Sequence, residues 1–462
     1  MTLSEAARAM QAQFAGRDAP FARVSTDTRT VASGELFFAL HGSRFDGAQF
    51  VPEALAKGAL AAVVGRGALD RLARVARDRL LPVDDARLAL GRLGAYWRGR
   101  YANPLLALTG SNGKTTVKEM IAAILGVAAG GADRVLATIG NLNNDIGVPL
   151  TLLGLAPAHH YAVVEMGMNH AGEIRYLSTL ARPDVALINN AGTAHLENLG
   201  SRQAIAQAKA EIFAGLKPEG TAVINADDHF APLWHKAAGA CRQISFALDR
   251  QADVHGKCAL RADGSALVLD TPRGRGTVDI AVAGEHNARN ALAAAAAAVA
   301  LEIGIDAIVA GLAGYRGVKG RLQPKAGAAG ARLIDDTYNA NPDSVAAAIS
   351  VLAAAPGRRL LVLGDMGELG PDAPALHAEV GAFAKAAGID TLFALGSLSA
   401  HAVAAFGAGA HHCDSLQALV SAVRPELGPQ VTVLVKGSRF MQMERAVAAL
   451  TAPSVPDHRA EP

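Results

Sequence analysis

Cysteine is scarce in this chain of 462 residues: Cys241, Cys258 and Cys413 are odd in number, scattered and at no metal-ligand spacing. That pattern excludes a disulfide framework and a cysteine-based metal knuckle. Long apolar runs are missing as well. The longest, Ala291 to Leu301, is mostly alanine and too short to span a bilayer, so no membrane insertion is expected. The first residues, MTLSEAARAMQAQF, lack the apolar core of a signal peptide and instead space Leu3, Ala6, Ala7, Met10 and Phe14 as one face of a helix. No excess of one charge exists either. Lys plus Arg total 44 against 42 for Asp plus Glu, a net charge of +2, with no basic block dense enough to track a nucleic-acid backbone. A reducing, cytoplasmic setting without a nucleic-acid partner is therefore expected.

What the chain has is hydrophobic mass. At 51% hydrophobic residues and a length beyond what one core usually supports, it should form two or three packed domains. Short extended segments, Leu36 to Leu40 and Leu60 to Val64, alternate with a helical stretch near Phe50 to Lys57. The polar segment Arg98 to Asn103 then closes a first α/β domain, placed at residues 1–99. Beyond it LLALTG, RVLATIGN, YAVVEMG and VALINNAG are apolar strands with polar ends, separated by helical patterns. That alternation predicts a mostly parallel sheet in a central domain, residues 100–317, whose ligands bind beyond the carboxyl ends of the strands. The section Asp249 to Ile280 is strand-like and glycine-punctuated. GYRGVKGRLQP, Gly314 to Pro324, has the glycine density of a hinge. A third α/β domain, residues 318–462, follows in ARLIDD, RLLVLGDMGELG, DTLFALG and VTVLVKGSR, and the proline-rich tail 451–462 is expected to be disordered.

The sharpest motif is TGSNGKTT, Thr109 to Thr116, which joins an apolar strand to a helical pattern in the order that binds a nucleotide phosphate. Gly110 and Gly113 let backbone N–H groups approach phosphate oxygens, Lys114 supplies a point charge, and the Thr115 hydroxyl suits Mg²⁺. Full Walker A spacing would require glycine at position 108, which is Leu108, so the loop is the shorter G-x-x-G-K-T. Lys114, Asn141, Glu165 and His195 all fall at or just after strand ends. Glu165, costly to bury without a cation, reads as a Mg²⁺ ligand, and His195 as a ligand of a second metal against the plainer alternative of a surface histidine. Lys209 falls on the apolar stripe of Ile205, Ile212 and Leu216. It either snorkels to solvent or is desolvated, neutral and able to form a carbamate. His286, Asn287 and Asn290 open a helix, as caps or facing a base. Asp336 and Asn339 follow a strand, with Ser344 in the first turn of the next helix.

These pieces in this order resemble the Mur ligases, ATP-dependent amide-forming enzymes of bacterial peptidoglycan synthesis, over nearly the whole chain. STDTRTVASGELFFALHGSRFDG, TGSNGKTTVKE with NLNNDIGVPLTLL, DDTYNANPDS, and LGDMGELG with VLVKGSR carry the match. DTYNANPDS, and the lack of an aspartate-asparagine-proline-arginine motif, set the chain apart from the ligase acting one step earlier. The resemblance implies a small N-terminal α/β nucleotide-sugar domain, a central P-loop parallel-sheet ATPase domain and a C-terminal Rossmann-like α/β domain. It implies that D-alanyl-D-alanine is joined to UDP-N-acetylmuramoyl-tripeptide through an acyl phosphate, by a monomer. By the same resemblance Gly110, Ser111, Asn112, Gly113, Lys114, Thr115 and Thr116 bind ATP, with Asn287, Asn290, Arg321 and Asp336 on the adenosine side. Thr115 and Glu165 hold one Mg²⁺, and His195 with carbamylated Lys209 supports a second. Lys114, Glu165, His195 and Lys209 form the catalytic set; Ser25, Thr26, Asp27 and Arg29 meet the uridine diphosphate, and Asn339, Asp365, Lys436 and Arg439 the dipeptide. A ligase of the type acting one step earlier, a folylpolyglutamate-synthase-like ligase and a P-loop regulator without catalysis are the competing readings.

Overall fold

The computed structural model describes residues 1–42, 45–261 and 264–451. The tail from 452 onward, and residues 43 and 44 of the Ser25–Gly47 block, lie outside the described residues. Three sheets organise the chain as a three-domain α/β architecture, of four, nine and six strands.

The first sheet is parallel throughout, with strands Val24–Ser25, Leu36–Phe38, Ala61–Gly65 and Leu80–Val83 side by side. Helix Leu3–Met10 starts at a capping box between Thr2 and Glu5 and buries Leu3, Ala6, Ala7 and Met10. Phe14 falls outside it, because Gln11 turns left-handed at φ 60° and ends the helix. The polar segment after helix Ala86–Arg98 is stitched to the central domain. Arg98 is 3% exposed, and its guanidinium donates to the Ala181 carbonyl at 3.0 Å and to Asp184 Oδ2 at 3.2 Å. Asp184 Oδ2 also accepts the Leu105 N–H at 2.8 Å, which fixes the start of the next strand.

The central sheet contains seven parallel strands extended by an antiparallel hairpin, Gly264–Thr271 with Gly274–Ile280. Strand Leu105–Thr109 lies inside it, third from one edge, between Tyr161–Glu165 and Val185–Ile188. The chain order reverses at this strand, which opens a crevice beyond its carboxyl end. The register aligns Leu108 with Glu165 and Thr109 with Ile188, so Glu165 and the Asn189 segment flank the glycine loop. Helix Glu285–Ala300 is buried nearly all round, and its alanines let it pack closely against helix Lys114–Ala129 and the neighbouring strands. The pattern from Arg202 to Leu216 is not one helix. It is an α-helix over Arg202–Ala210 followed by a 3₁₀ turn over Glu211–Gly215, tightened by the Ser178 hydroxyl on the Ile212 carbonyl.

In the third sheet strands Arg332–Asp336, Val431–Lys436, Arg358–Gly364, Thr391–Leu395 and Ala410–Cys413 run parallel, with antiparallel Gln323–Ala326 at the edge. Helix Pro342–Ala353 begins at a capping box between Asn341 and Ser344. Among the described residues, no helix is long and apolar enough to cross a membrane.

Candidate active site

A cavity of about 1500 Å³ lies between the carboxyl ends of the central strands and the facing loops of the C-terminal domain. The glycine loop forms its floor. Gly113 adopts φ +79°, and a Cβ there would stand 2.4 Å from Asn290 Oδ1 and 2.7 Å from Asn189 Nδ2. Both the backbone angle and the approach therefore require glycine. Lys114, the first residue of helix Lys114–Ala129, folds back so that Nζ donates to the carbonyls of Gly110 at 2.7 Å and Ser111 at 3.4 Å. Burial pushes its ammonium below the ordinary lysine value, opposed chiefly by the charge of Glu165.

Asparagines lock this loop. Asn112 donates its N–H to Asn190 Oδ1 at 2.9 Å, and its carbonyl accepts from the side-chain amides of Asn189 and Asn190, each at 3.0 Å. Its own Oδ1 accepts from Asn341 Nδ2 of the C-terminal domain at 2.8 Å. Asn189 also donates to Asn290 Oδ1 at 3.0 Å, and Asn290 to Asn287 Oδ1 at 3.2 Å. Asn287 returns to the Ala283 carbonyl at 2.7 Å, so neither Asn287 nor Asn290 caps its helix.

Glu165 is 2% exposed at the end of its strand. Oε1 accepts from Asn143 Nδ2 at 2.7 Å, whereas Oε2 is buried with no hydrogen-bond partner among the described residues. A buried carboxylate oxygen left unpaired beside a phosphate loop is a hard anionic donor suited to Mg²⁺. Lys209 is buried. Burial and then the charge of Lys114 push it well below the ordinary lysine value, toward the neutral amine that carbamate formation needs. It lies behind the cavity lining rather than in it. His195 lines the cavity in a left-handed conformation, φ 65°, with Nδ1 2.8 Å from Glu368 Oε2, a contact whose angles are not those of a hydrogen bond. That contact, more than the nearby Lys114, holds the Glu368 carboxyl below its usual range.

The third domain supplies Arg321, Asp336, Asn339, Lys436 and Arg439 to the same cavity. Arg321 Nη2 donates to Thr115 Oγ1 at 3.0 Å. Asp336 and Lys436, expected on different substrates, pair with each other at 2.5 Å; Asp336 also accepts the Leu322 N–H and Lys436 donates to the Asn339 carbonyl. Arg439 is paired with Glu444 at 2.9 Å but remains exposed. Asp365 departs from the expectation that it meets the dipeptide. Its carboxylate accepts the Ser399 N–H at 2.7 Å and hydroxyl at 2.6 Å, so it holds the start of helix Ser399–Phe406 and does not line the cavity. Ser25, Thr26, Asp27 and Arg29 also lie outside this cavity, in the N-terminal domain. There the Arg29 side chain, then its N–H, hold the Asp27 carboxyl at about 2. Asn143, Asn189, Asn190, Asn341, Asp343 and Glu368 were not singled out from sequence, although the asparagine runs NLNN, INN and NAN at segment ends were a usable signal.

A phosphate loop at a sheet's reversal point, an orphaned carboxylate beside it and a second α/β domain over the cleft define an ATP-using enzyme that works between domains. The Mur ligase middle domain matches residues 108–298, the Mur ligase glutamate ligase domain residues 320–439 and the Mur ligase family catalytic domain residues 20–98. The chain belongs to the Mur ligase family of ATP-dependent amide-forming ligases. A UDP-N-acetylmuramoyl-tripeptide–D-alanyl-D-alanine ligase of Escherichia coli (strain K12) is 44% identical, covering 97% of this chain and 98% of its own length. The crystal structure of MurF from Acinetobacter baumannii superposes with a TM-score of 0.89 at 38% identity, covering 96% of this chain and 97% of that one. MurF ligase from Thermotoga maritima in complex with ADP gives a TM-score of 0.82 at 27% identity, over 92% and 96%.

Proposed function

We propose that the chain joins the amine of D-alanyl-D-alanine to the terminal carboxylate of UDP-N-acetylmuramoyl-tripeptide, with ATP cleaved to ADP and phosphate, in cytoplasmic peptidoglycan precursor synthesis. The observation that carries the chemistry is the meeting of Lys114, Glu165, His195 and Arg321 around one interdomain cavity. The substrates follow from relatives similar over nearly their full length.

A carboxylate is a poor electrophile, so ATP first phosphorylates it to an acyl phosphate, and the free amine then attacks the carbonyl carbon. The tetrahedral intermediate collapses to the amide and expels phosphate. The protein's task is electrostatic and positional, because two anions must approach each other. Lys114 and the amides of residues 110–116 hold the transferring phosphate. Arg321 and Asn341, reaching the same loop from the other domain, keep the cleft closed around it. Closure excludes the water that would hydrolyse the acyl phosphate.

Glu165 Oε2 would hold one Mg²⁺, with the Thr115 hydroxyl a further donor where Arg321 gives it up, and His195 would hold a second, which Lys209 as its carbamate would support from behind the cavity lining. Bound there, the ions supply charge neutralisation between triphosphate and carboxylate. The test is phosphate release measured across UDP-muramoyl peptides with D-alanyl-D-alanine as the varied amine. Release that needs both the tripeptide and the dipeptide is expected; release that is indifferent to the amine overturns the reading.

A further inference from the structure

The loop that brings His195 into the cavity is hydrogen-bonded to its own domain at its start, and after His195 the side chains of Leu196 and Leu199 pack on the central core. Ala191 donates its N–H to Asp228 Oδ2 at 2.9 Å and accepts from Arg202 at 3.3 Å, and Gly192 accepts a long 3.4 Å contact from Ser111. Between these two anchors, the polar contacts at Thr193, His195 and Glu197 come from the opposite domain. Asp343, in the first turn of helix Pro342–Ala353, accepts on Oδ2 both the Thr193 N–H at 2.7 Å and the Thr193 hydroxyl at 2.9 Å. Gly192 leaves room for this carboxylate, since a Cβ there would stand 2.3 Å from the same oxygen. Glu368 accepts the Glu197 N–H on its carbonyl at 3.1 Å while its carboxylate stands 2.8 Å from His195 Nδ1.

Two non-glycine residues facing each other here, His195 at φ 65° and Glu368 at φ 62°, are left-handed. Such backbone persists only where surrounding contacts over-determine it. Removing the contacts should therefore release the loop rather than leave it in place.

We infer that Asp343 and Glu368 are positioning residues of the ligase: docking of the C-terminal domain sets the Gly192–Glu197 loop and, through it, the placement of His195. Neither needs to touch substrate. The consequence is an order of assembly in which the histidine is in place only once the two domains have met, so the reactive carboxyl is not activated in an open, wet cleft. The inference rests on the reading of His195 as a site residue.

The test uses the full-length, ligand-free protein, so it stands or falls apart from the substrate assignment. Hydrogen exchange is compared in the unsubstituted protein, Asp343→Ala, Thr193→Val and the double variant. Loss of a charge-assisted hydrogen-bond pair should speed exchange at residues 192–197 by about tenfold or more, with P-loop residues 110–116 within about twofold. The double variant should match Asp343→Ala, which removes both bonds, while Thr193→Val loses only the hydroxyl bond and should raise exchange less. In turnover, kcat should fall by about tenfold or more while the KM for ATP changes by less than about twofold. Unchanged exchange at 192–197 in both single variants overturns the inference. So does a uniform rise across the C-terminal sheet, which would make Asp343 a residue of stability alone. Should Asp343→Ala fail to fold, Thr193→Val, which alters only the central-domain partner and removes the hydroxyl bond, decides the matter by whether exchange rises at residues 192–197 and not across the C-terminal sheet.

Discussion

Arg321 stacks its guanidinium 4.3 Å from the centre of the Tyr338 ring and donates from Nη2 to Thr115 Oγ1 at 3.0 Å, across 206 residues of sequence. The hydroxyl next to the phosphate-loop lysine thus already serves a cation from the C-terminal domain. The glycine-rich Gly314–Pro324 segment that carries Arg321 is therefore more than a tether: it delivers a charged group to the P-loop helix.

Lys114→Ala should lower turnover by about 10²–10³-fold or more, the scale on which removing one preorganised charge donor acts. The fold should survive, because among the described residues Nζ bonds only to carbonyls of its own loop and its burial is itself a cost. Phosphate release alongside a thermal melt checks both halves; near-normal turnover would sink the site assignment.

Gly113→Ala should cut affinity for ATP and ADP more than it lowers stability. A left-handed alanine costs about 1–2 kcal/mol. The added Cβ would also press on Asn290 and Asn189, which shape the loop. Calorimetric titration with ADP is the measurement, and an unchanged affinity is the contrary result.

For Lys209 the test is chemical. Lys209→Ala should be inactive and unrescued by bicarbonate, while a short-chain carboxylic acid restores part of the turnover by supplying the missing anion. Full activity in the substituted enzyme would eliminate the carbamate.

His286 bears on stability against pH. Burial, helped by Lys436 and Arg289 and opposed by Asp336, lowers its imidazole to about 4. Between there and the ordinary value near 6.5 the unfolded chain binds a proton that the folded chain refuses, so stability falls as pH drops through that window and is unaffected above it. The Tm of His286→Gln should therefore decline less steeply from pH 6.5 to 4 than that of the unsubstituted protein. Parallel declines would contradict the assignment.

Much of this architecture was legible before any coordinates. Alternating apolar segments with polar ends marked the strands, because a buried parallel strand must be hydrophobic along its length and its chemistry is left to its carboxyl end. The same logic brought Lys114, Glu165 and His195 to one cavity, and the stripe of Ile205 and Ile212 flagged Lys209 as buried. Helix ends were less legible. Gln11 closes its helix with a left-handed turn, and the helix ending at Ala210 passes into a 3₁₀ turn where Ser178 takes the Ile212 carbonyl; the apolar period registers neither.

By itself the sequence determined the order of elements, the phosphate loop and the residues that had to leave water, since periodicity and glycine placement are local properties. Tertiary structure alone decided how the polar side chains are spent. Lys436 is used by Asp336 across 100 residues, Asn112 by Asn341 across 229, and Asp365 on a helix start instead of a ligand. The physical reason is that a buried polar group must find a partner wherever the fold brings one, and that choice depends on side-chain direction and approach between distant segments.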